Sequence, residues 1–157
     1  MSDKLFAAIR GNDIDGVRAA LAAEPDSINI PDQRGFPPLV LSTYTGNKEI
    51  AELLIEKGAN INAQDSSGNT ALMGVVYKGH EAIVKMLLEK GANVNIQNHL
   101  GATALVFAAT FGQADIAKLL LGYGANTVVK DTNGQSPLDH ARKQGDEVIV
   151  KILSGRE

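Results

Sequence analysis

The chain has 157 residues, 44% of them hydrophobic, so it is long enough for one domain with a buried core. Its formal net charge of −3 gives no electrostatic attraction to nucleic acid or to anionic lipid, and binding to either is not expected. The sequence contains no cysteine, which excludes disulfides, thiolate catalysis and cysteine-ligated zinc.

The first thirty residues are predicted to form two short helices. Charges at Asp3, Lys4 and Arg10 interrupt the apolar segment that a secretory signal would need, which favours a cytoplasmic protein. No apolar run in the chain approaches the roughly twenty residues of a membrane-spanning helix, so a soluble protein is expected. This segment closes at Ile28 and Asn29, and its spacing to the following sequence is about one residue irregular.

From residue 32 onward the sequence repeats itself with a period of 33 residues. One set of glycines, each followed four residues later by a leucine, comprises Gly35, Gly68, Gly101 and Gly134 with Leu39, Leu72, Leu105 and Leu138. Two further sets keep the same step, namely Gly46, Gly79, Gly112 and Gly145, and Gly58, Gly91 and Gly124. Three glycine sets in register predict one structural unit repeated along the chain.

Each unit is predicted to contain a turn, a short helix, a second turn and a longer helix. Thr70, Thr103 and Ser136 follow the first glycine of their units, where a hydroxyl side chain caps the N-terminus of a helix. Pro137 then occupies the first helical position in the last unit. The third glycine supplies the left-handed conformation that ends the second helix. One unit cannot bury its apolar faces alone, so stability must come from stacking on its neighbours.

The combination of D-x-x-G-x-T-x-L, a mid-repeat glycine and L-L-x-x-G-A-x-x-N at 33 residues resembles the ankyrin repeat. The resemblance implies an all-α solenoid of stacked helix-turn-helix units with short hairpin-like turns. It implies a single domain, residues 1–157, with an N-terminal cap at 1–31, full repeats at 32–64, 65–97 and 98–130, and a C-terminal cap repeat at 131–157.

The sequence departs from the family pattern in ways that weaken parts of the stack. The histidine of the Thr-Pro-Leu-His motif is missing from every repeat, so the inter-repeat hydrogen bonds that the family makes with it cannot form, and stacking must rely more on packing. Pro37 replaces a capping threonine, Ser42 and Thr43 replace two alanines, and Gly74 lies inside a helix at a cost of about 1 kcal/mol. Residues 36–80 are therefore predicted to be the weaker part.

Catalytic chemistry finds little support, and no cofactor or metal is expected. His80 follows the mid-repeat glycine, where the family commonly has a structural histidine, while His99 lies at a turn and His140 in a helix of another repeat. The pair His80 and Glu81 lacks the second histidine of a helical zinc site. An enzymatic role therefore ranks last among the functions that the sequence allows.

The resemblance implies a non-catalytic module that binds a protein or peptide on the concave face formed by turn tips and first helices. The residues predicted to bind the partner are Arg34, Phe36, Tyr44, Tyr77, Lys78, His99, Leu100, Thr110, Phe111 and Lys143. Four of the seven Phe and Tyr residues of the chain belong to this set, although each ring could instead pack against the neighbouring repeat.

The predicted binding set contains cations but neither Asp nor Glu, although the protein as a whole is acidic. A partner with apolar anchors and a neutral to acidic surround is therefore expected, bound by a monomer. Two alternatives remain open. The protein could be a specific inhibitor or immunity-type factor that blocks one enzyme. It could also be the substrate of an asparagine hydroxylase, because the sequences around Asn62 and Asn95 resemble the hydroxylated site of ankyrin repeats.

Overall fold

The computed structural model of the protein describes residues 3–155. In chain order its α-helices are α1 Asp3–Arg10, α2 Ile14–Ala23, α3 Pro38–Tyr44, α4 Lys48–Glu56, α5 Ala71–Lys78, α6 Glu81–Glu89, α7 Ala104–Thr110, α8 Ala114–Gly122, α9 Pro137–Gln144 and α10 Glu147–Ser154. A 3-10 helix follows α2 at Pro25–Asn29. Within the described residues, β-structure is limited to an isolated antiparallel bridge between Gln64 and Thr70, which confirms the prediction of an all-α fold.

The helices form two parallel rows. Helices α1, α3, α5, α7 and α9, the first helices of successive units, contact one another in that order. Helices α2, α4, α6, α8 and α10 form the second row in the same order, and each also packs against the first helix of its own unit. The stack is therefore one-dimensional, because each unit is stabilised by the units immediately before and after it.

The predicted helix caps are present where the sequence placed them. The side-chain oxygens of Thr70, Thr103 and Ser136 each accept a hydrogen bond from the backbone amide three residues later, at 3.2, 3.3 and 3.2 Å. Helix α3 has no such bond, because Pro37 occupies its N-cap position and Pro38 its first turn. Losing a side-chain cap costs about 1 kcal/mol, so α3 begins at a disadvantage.

The mid-repeat glycine is required both by its backbone conformation and by lack of space. Gly79 ends α5 at φ 75°, and a Cβ atom there would lie 2.8 Å from Nε2 of Gln113 in the next repeat. The side chain that follows each mid-repeat glycine thus covers the equivalent glycine of the preceding repeat. His80 does this over Gly46, with Nε2 3.2 Å from the position of a Cβ. This packing contact gives His80 a structural explanation.

Repeating leucines form the centre of the stack. Leu39, Leu72, Leu105 and Leu138, one at the start of each first helix, are all at most 2% exposed. They belong to one continuous cluster of buried side chains that runs from Leu5 in α1 to Leu153 in α10. Burying a leucine side chain stabilises a fold by about 1.5–3 kcal/mol, so this row is a principal source of stability.

Asparagine side chains also join the repeats, which the sequence analysis did not predict. Their Oδ1 atoms accept hydrogen bonds from backbone amides of the following repeat at 2.7, 2.8 and 2.8 Å, in the pairs Asn29 with Asn60, Asn62 with Asn93, and Asn95 with Asn126. Gln64 and Gln97 add side-chain bonds to carbonyls of the next repeat, at 3.2 and 3.4 Å. The expectation that stacking relies more on packing was therefore incomplete, because asparagine and glutamine also supply inter-repeat hydrogen bonds.

The irregular spacing at the N-terminus has a definite location. The N-cap residues of α2 and α4, Asp13 and Asn47, are 34 residues apart, whereas Asn29 and Asn62 are separated by 33. The extra residue therefore lies between Asp13 and Asn29, where α2 has ten residues and α4 only nine. Asn12 adopts φ 53° at the place of the mid-repeat glycine.

Candidate functional site

Five rings on the first helices and one turn form an aromatic cluster, comprising Phe36, Tyr44, Tyr77, Phe107 and Phe111. Its most exposed members are Tyr77, in the last turn of α5, and Phe111, directly after α7, with 48% and 46% of their surfaces accessible. The two rings meet edge to face with centroids 4.8 Å apart. This pair joins two adjacent repeats and leaves much of both rings in solvent.

Phe107 extends this pair and was missing from the predicted binding set. It lies one helical turn before Phe111, half-buried, with the two rings nearly parallel and their centroids 6.2 Å apart. The spacing of four residues places both rings on one side of α7, which the sequence could have indicated. Phe107 thus supports the exposed ring from below.

Phe36 and Tyr44 form the other part of the cluster and are half-buried. Their rings meet edge to face at 5.7 Å, and both pack against the hydrophobic core. A Cβ atom on Gly74 would lie 3.9 Å from Cε2 of Tyr44, so the tyrosine ring covers the glycine of the next repeat. These two predicted binding residues therefore also contribute to inter-repeat packing.

Two cations flank the aromatic cluster. The guanidinium carbon of Arg34 lies 5.9 Å from the centre of the Phe36 ring, and Nζ of Lys78 lies 5.9 Å from that of Tyr44. Both cationic residues are exposed. Such contacts stabilise by roughly 0.5–1 kcal/mol at exposed sites, which is weak enough for either cation to exchange its ring for a carboxylate.

A carboxylate also lies close to the cluster, although the predicted set contained none. Burial raises the pKa of the Tyr44 hydroxyl, and the charge of Asp65 and the neighbouring Tyr77 raise it further. Tyr44 is therefore a neutral hydrogen-bond donor at physiological pH. Asp65 is itself buried, and its Oδ1 accepts the backbone amides of Ser67 and Asn69, so its first role is to hold the turn.

The remaining predicted binding residues lie around the aromatic cluster. Leu100 is at a turn tip with 70% of its surface exposed, and the neighbouring His99 is also exposed. Thr110 ends α7 and is half-buried, while Lys143 is exposed near the end of α9. No ring contact or hydrogen bond among residues 3–155 joins these four side chains to the cluster.

A histidine–aspartate pair in the last repeat was not predicted. His140 in α9 lies 2.7 Å from Oδ2 of Asp131 in the preceding turn, measured from Nε2, and both side chains are largely buried. Desolvation would raise the pKa of Asp131, but hydrogen bonds from Gln135, His140 and Asn133 hold it below its usual range. The carboxylate thus remains ionised and ties the turn to α9.

Residues 3–155 contain no group of three or more His, Asp or Glu side chains arranged to hold a metal ion. Over the same part of the chain, every helix is too short to cross a membrane.

Family comparisons agree with the repeated architecture. A family model described as ankyrin repeats (3 copies) matches residues 5–98, and one described as ankyrin repeats (many copies) matches residues 87–141. A search of curated proteins found no match. Ankyrin repeats are generally protein–protein interaction modules, and proteins built from them are typically non-catalytic. With more than half of its length matched and its helices stacked in two rows, the chain belongs to the ankyrin-repeat family.

Proposed function

We propose that the protein binds another protein or a peptide on the face formed by its turn tips and first helices, with Tyr77 and Phe111 as the central anchors. The observation that carries this proposal is the exposed edge-to-face pair, whose rings remain 48% and 46% accessible. Aromatic rings that are fixed by their neighbours offer a large contact area at little cost in conformational entropy, which is typical of interface hot spots.

The charges around the cluster indicate the kind of partner. Arg34 and Lys78 flank the rings, and Lys143 adds a cation on α9, while the exposed carboxylates Glu49, Glu89 and Asp115 lie on second helices. A partner with apolar anchors and a neutral to acidic surround matches this distribution. The net charge of −3 supports a protein rather than nucleic acid as the partner.

Residues around the pair would form the rim of the interface. Leu100 and His99 at the turn tip, Thr110 on α7 and Lys143 on α9 are proposed to contact the partner outside the aromatic anchors. Phe36 and Tyr44 contribute the edges of their rings, because most of each side chain already packs against the core. Substitutions in the rim should weaken binding less than loss of the anchors.

The proposal is tested by replacing both anchors with alanine. The immobilised Tyr77→Ala/Phe111→Ala protein should fail to retain host proteins that the wild type captures, and affinity for a purified captured protein should fall at least about a hundredfold by calorimetry. Tyr123→Ala is the matched control, because Tyr123 is 47% exposed but lies just after α8, a second helix. Tyr44 is left intact because its removal would disturb the stack.

Equal capture by the wild type and the double variant, with both proteins folded by circular dichroism, would refute the proposed anchors. Mass spectrometry of the retained protein also distinguishes a scaffold from a specific inhibitor, because an inhibited enzyme would lose activity when the wild-type protein is added.

A further inference from the structure

The N-terminal end of the stack contains a cleft that the proposed function does not use. It has a volume of about 860 Å³ and lies between α1, the 3-10 helix and the turn at residues 32–36. Phe6, Pro25 and Ile30 provide apolar lining, and Ile30 has 51% of its surface exposed. This N-terminal cleft is separate from the exposed anchors Tyr77 and Phe111, neither of which lines it.

The cleft lies where a preceding turn would be stacked. Later turns bond to the turn before them: the amides of His99 and Thr132 donate to the carbonyls of Ser67 and Leu100 at 3.1 and 3.0 Å. The turn at residues 32–36 has no counterpart in front of it, because α1 begins at Asp3 without an opening turn in the described chain.

The edge of this first turn presents one unused backbone donor. The amides of residues 34, 35 and 36 all bond to Asp32. Gln33 occupies the position of His99 and Thr132, yet no group among residues 3–155 accepts a hydrogen bond from its amide. An extended peptide that enters the cleft can supply the missing carbonyl, as peptides do at other exposed backbone edges.

The charges of the cleft select the occupant. Its described lining holds the carboxylates Asp3, Glu24, Asp26 and Asp32 against the guanidinium groups of Arg10 and Arg34. Arg10 is already engaged, since its Nη2 lies 3.1 Å from Asp32 and its guanidinium stands over the Phe6 ring. The remaining field favours a cationic ligand, opposite in sign to the ligand expected at the aromatic cluster.

We propose that the N-terminal cleft is a second binding surface, which takes an extended basic peptide segment with an apolar side chain. The peptide backbone accepts the hydrogen bond of the Gln33 amide, its apolar side chain lies against Phe6 and Ile30, and its Lys or Arg faces Asp3 and Asp26. The protein can thereby hold two segments of opposite charge at once.

The probe is a displayed library of random dodecapeptides, selected on the full-length protein and then measured individually by fluorescence polarisation. Peptides that combine basic and apolar residues should be enriched. Gln33→Pro should weaken them roughly five- to tenfold, because it removes the amide hydrogen at a turn position that favours proline. Gln33→Ala keeps the amide and should bind as the wild type does.

Charge reversal gives a second, independent measurement. Asp26→Lys should weaken the same peptides about tenfold at low salt, whereas Glu89→Lys, with the same change of net charge at the end of α6, should not. Tyr77→Ala/Phe111→Ala should leave their binding unchanged, so this inference and the proposed function fail separately.

Three results would overturn the inference. One is the absence of enriched peptides that respond to both Gln33→Pro and Asp26→Lys. Another is enrichment of acidic sequences that respond to these substitutions. The third is self-association of the protein in sedimentation experiments that Gln33→Pro abolishes, because a second copy would then occupy the cleft.

Discussion

Replacing Gly74 with alanine should stabilise the protein. Gly74 lies inside α5 without a left-handed backbone, and the nearest atom to an added Cβ would be Cε2 of Tyr44, 3.9 Å away at ordinary van der Waals contact. Alanine favours a helix interior over glycine by about 1 kcal/mol, and no displacement of the ring is needed to realise this gain. For a chain of 157 residues the midpoint of thermal unfolding should rise by roughly 2–4 °C.

The measurement is thermal and urea unfolding followed by the helical circular dichroism signal. Gly79→Ala is the matched control: at φ 75° and 2.8 Å from Gln113 it should lower the midpoint. A decrease for Gly74→Ala would show that the Tyr44 ring leaves no room for a methyl group, and would refute the explanation of why α5 is weak.

Three further outcomes are expected. Hydrogen exchange should be faster over residues 36–80 than over 98–130, because the first segment lacks one helix cap and contains a helical glycine; equal protection would contradict this. Asn62→Ala should lower the free energy of unfolding by about 1 kcal/mol in urea by removing an inter-repeat acceptor, and an unchanged value would assign the bond no net stability. Asp131→Asn should be less stable than the wild type near neutral pH. Because the pKa of Asp131 is lowered in the fold, that difference should shrink as the pH falls below about 4, whereas a difference independent of pH would exclude the His140 pair as its cause.

The fold was predictable because its punctuation is local. A left-handed turn requires glycine and a helix N-terminus prefers a hydroxyl, so Gly79 and Thr70 indicate the ends of α5 without knowledge of its neighbours. The 33-residue period then implies that every unit packs in the same way. The asparagine bonds were missed because Asn62 acts on the following repeat, and its sequence context alone does not reveal that partner.

The candidate site was less predictable, because its properties depend on contacts between repeats. Sequence position placed both Tyr44 and Tyr77 on first helices, but the exposed fraction of each ring depends on the residue across from it. Gly74 gives Tyr44 a surface to cover, whereas Tyr77 meets the edge of Phe111 and remains half in solvent. The influence of Asp65 on Tyr44 likewise arises only when turns and helices of adjacent repeats meet.

The additional residue in α2 shows where this architecture tolerates a change of length. A helix in the middle of the stack must match a neighbour on each side, so one inserted residue would break the registry of the glycines, leucines and asparagines on both. Helix α2 has only α4 beside it in its row and accommodates the change within its own ten residues. During evolution, interior growth of such a protein is confined to whole duplicated units, while single insertions and deletions are free to accumulate at its ends.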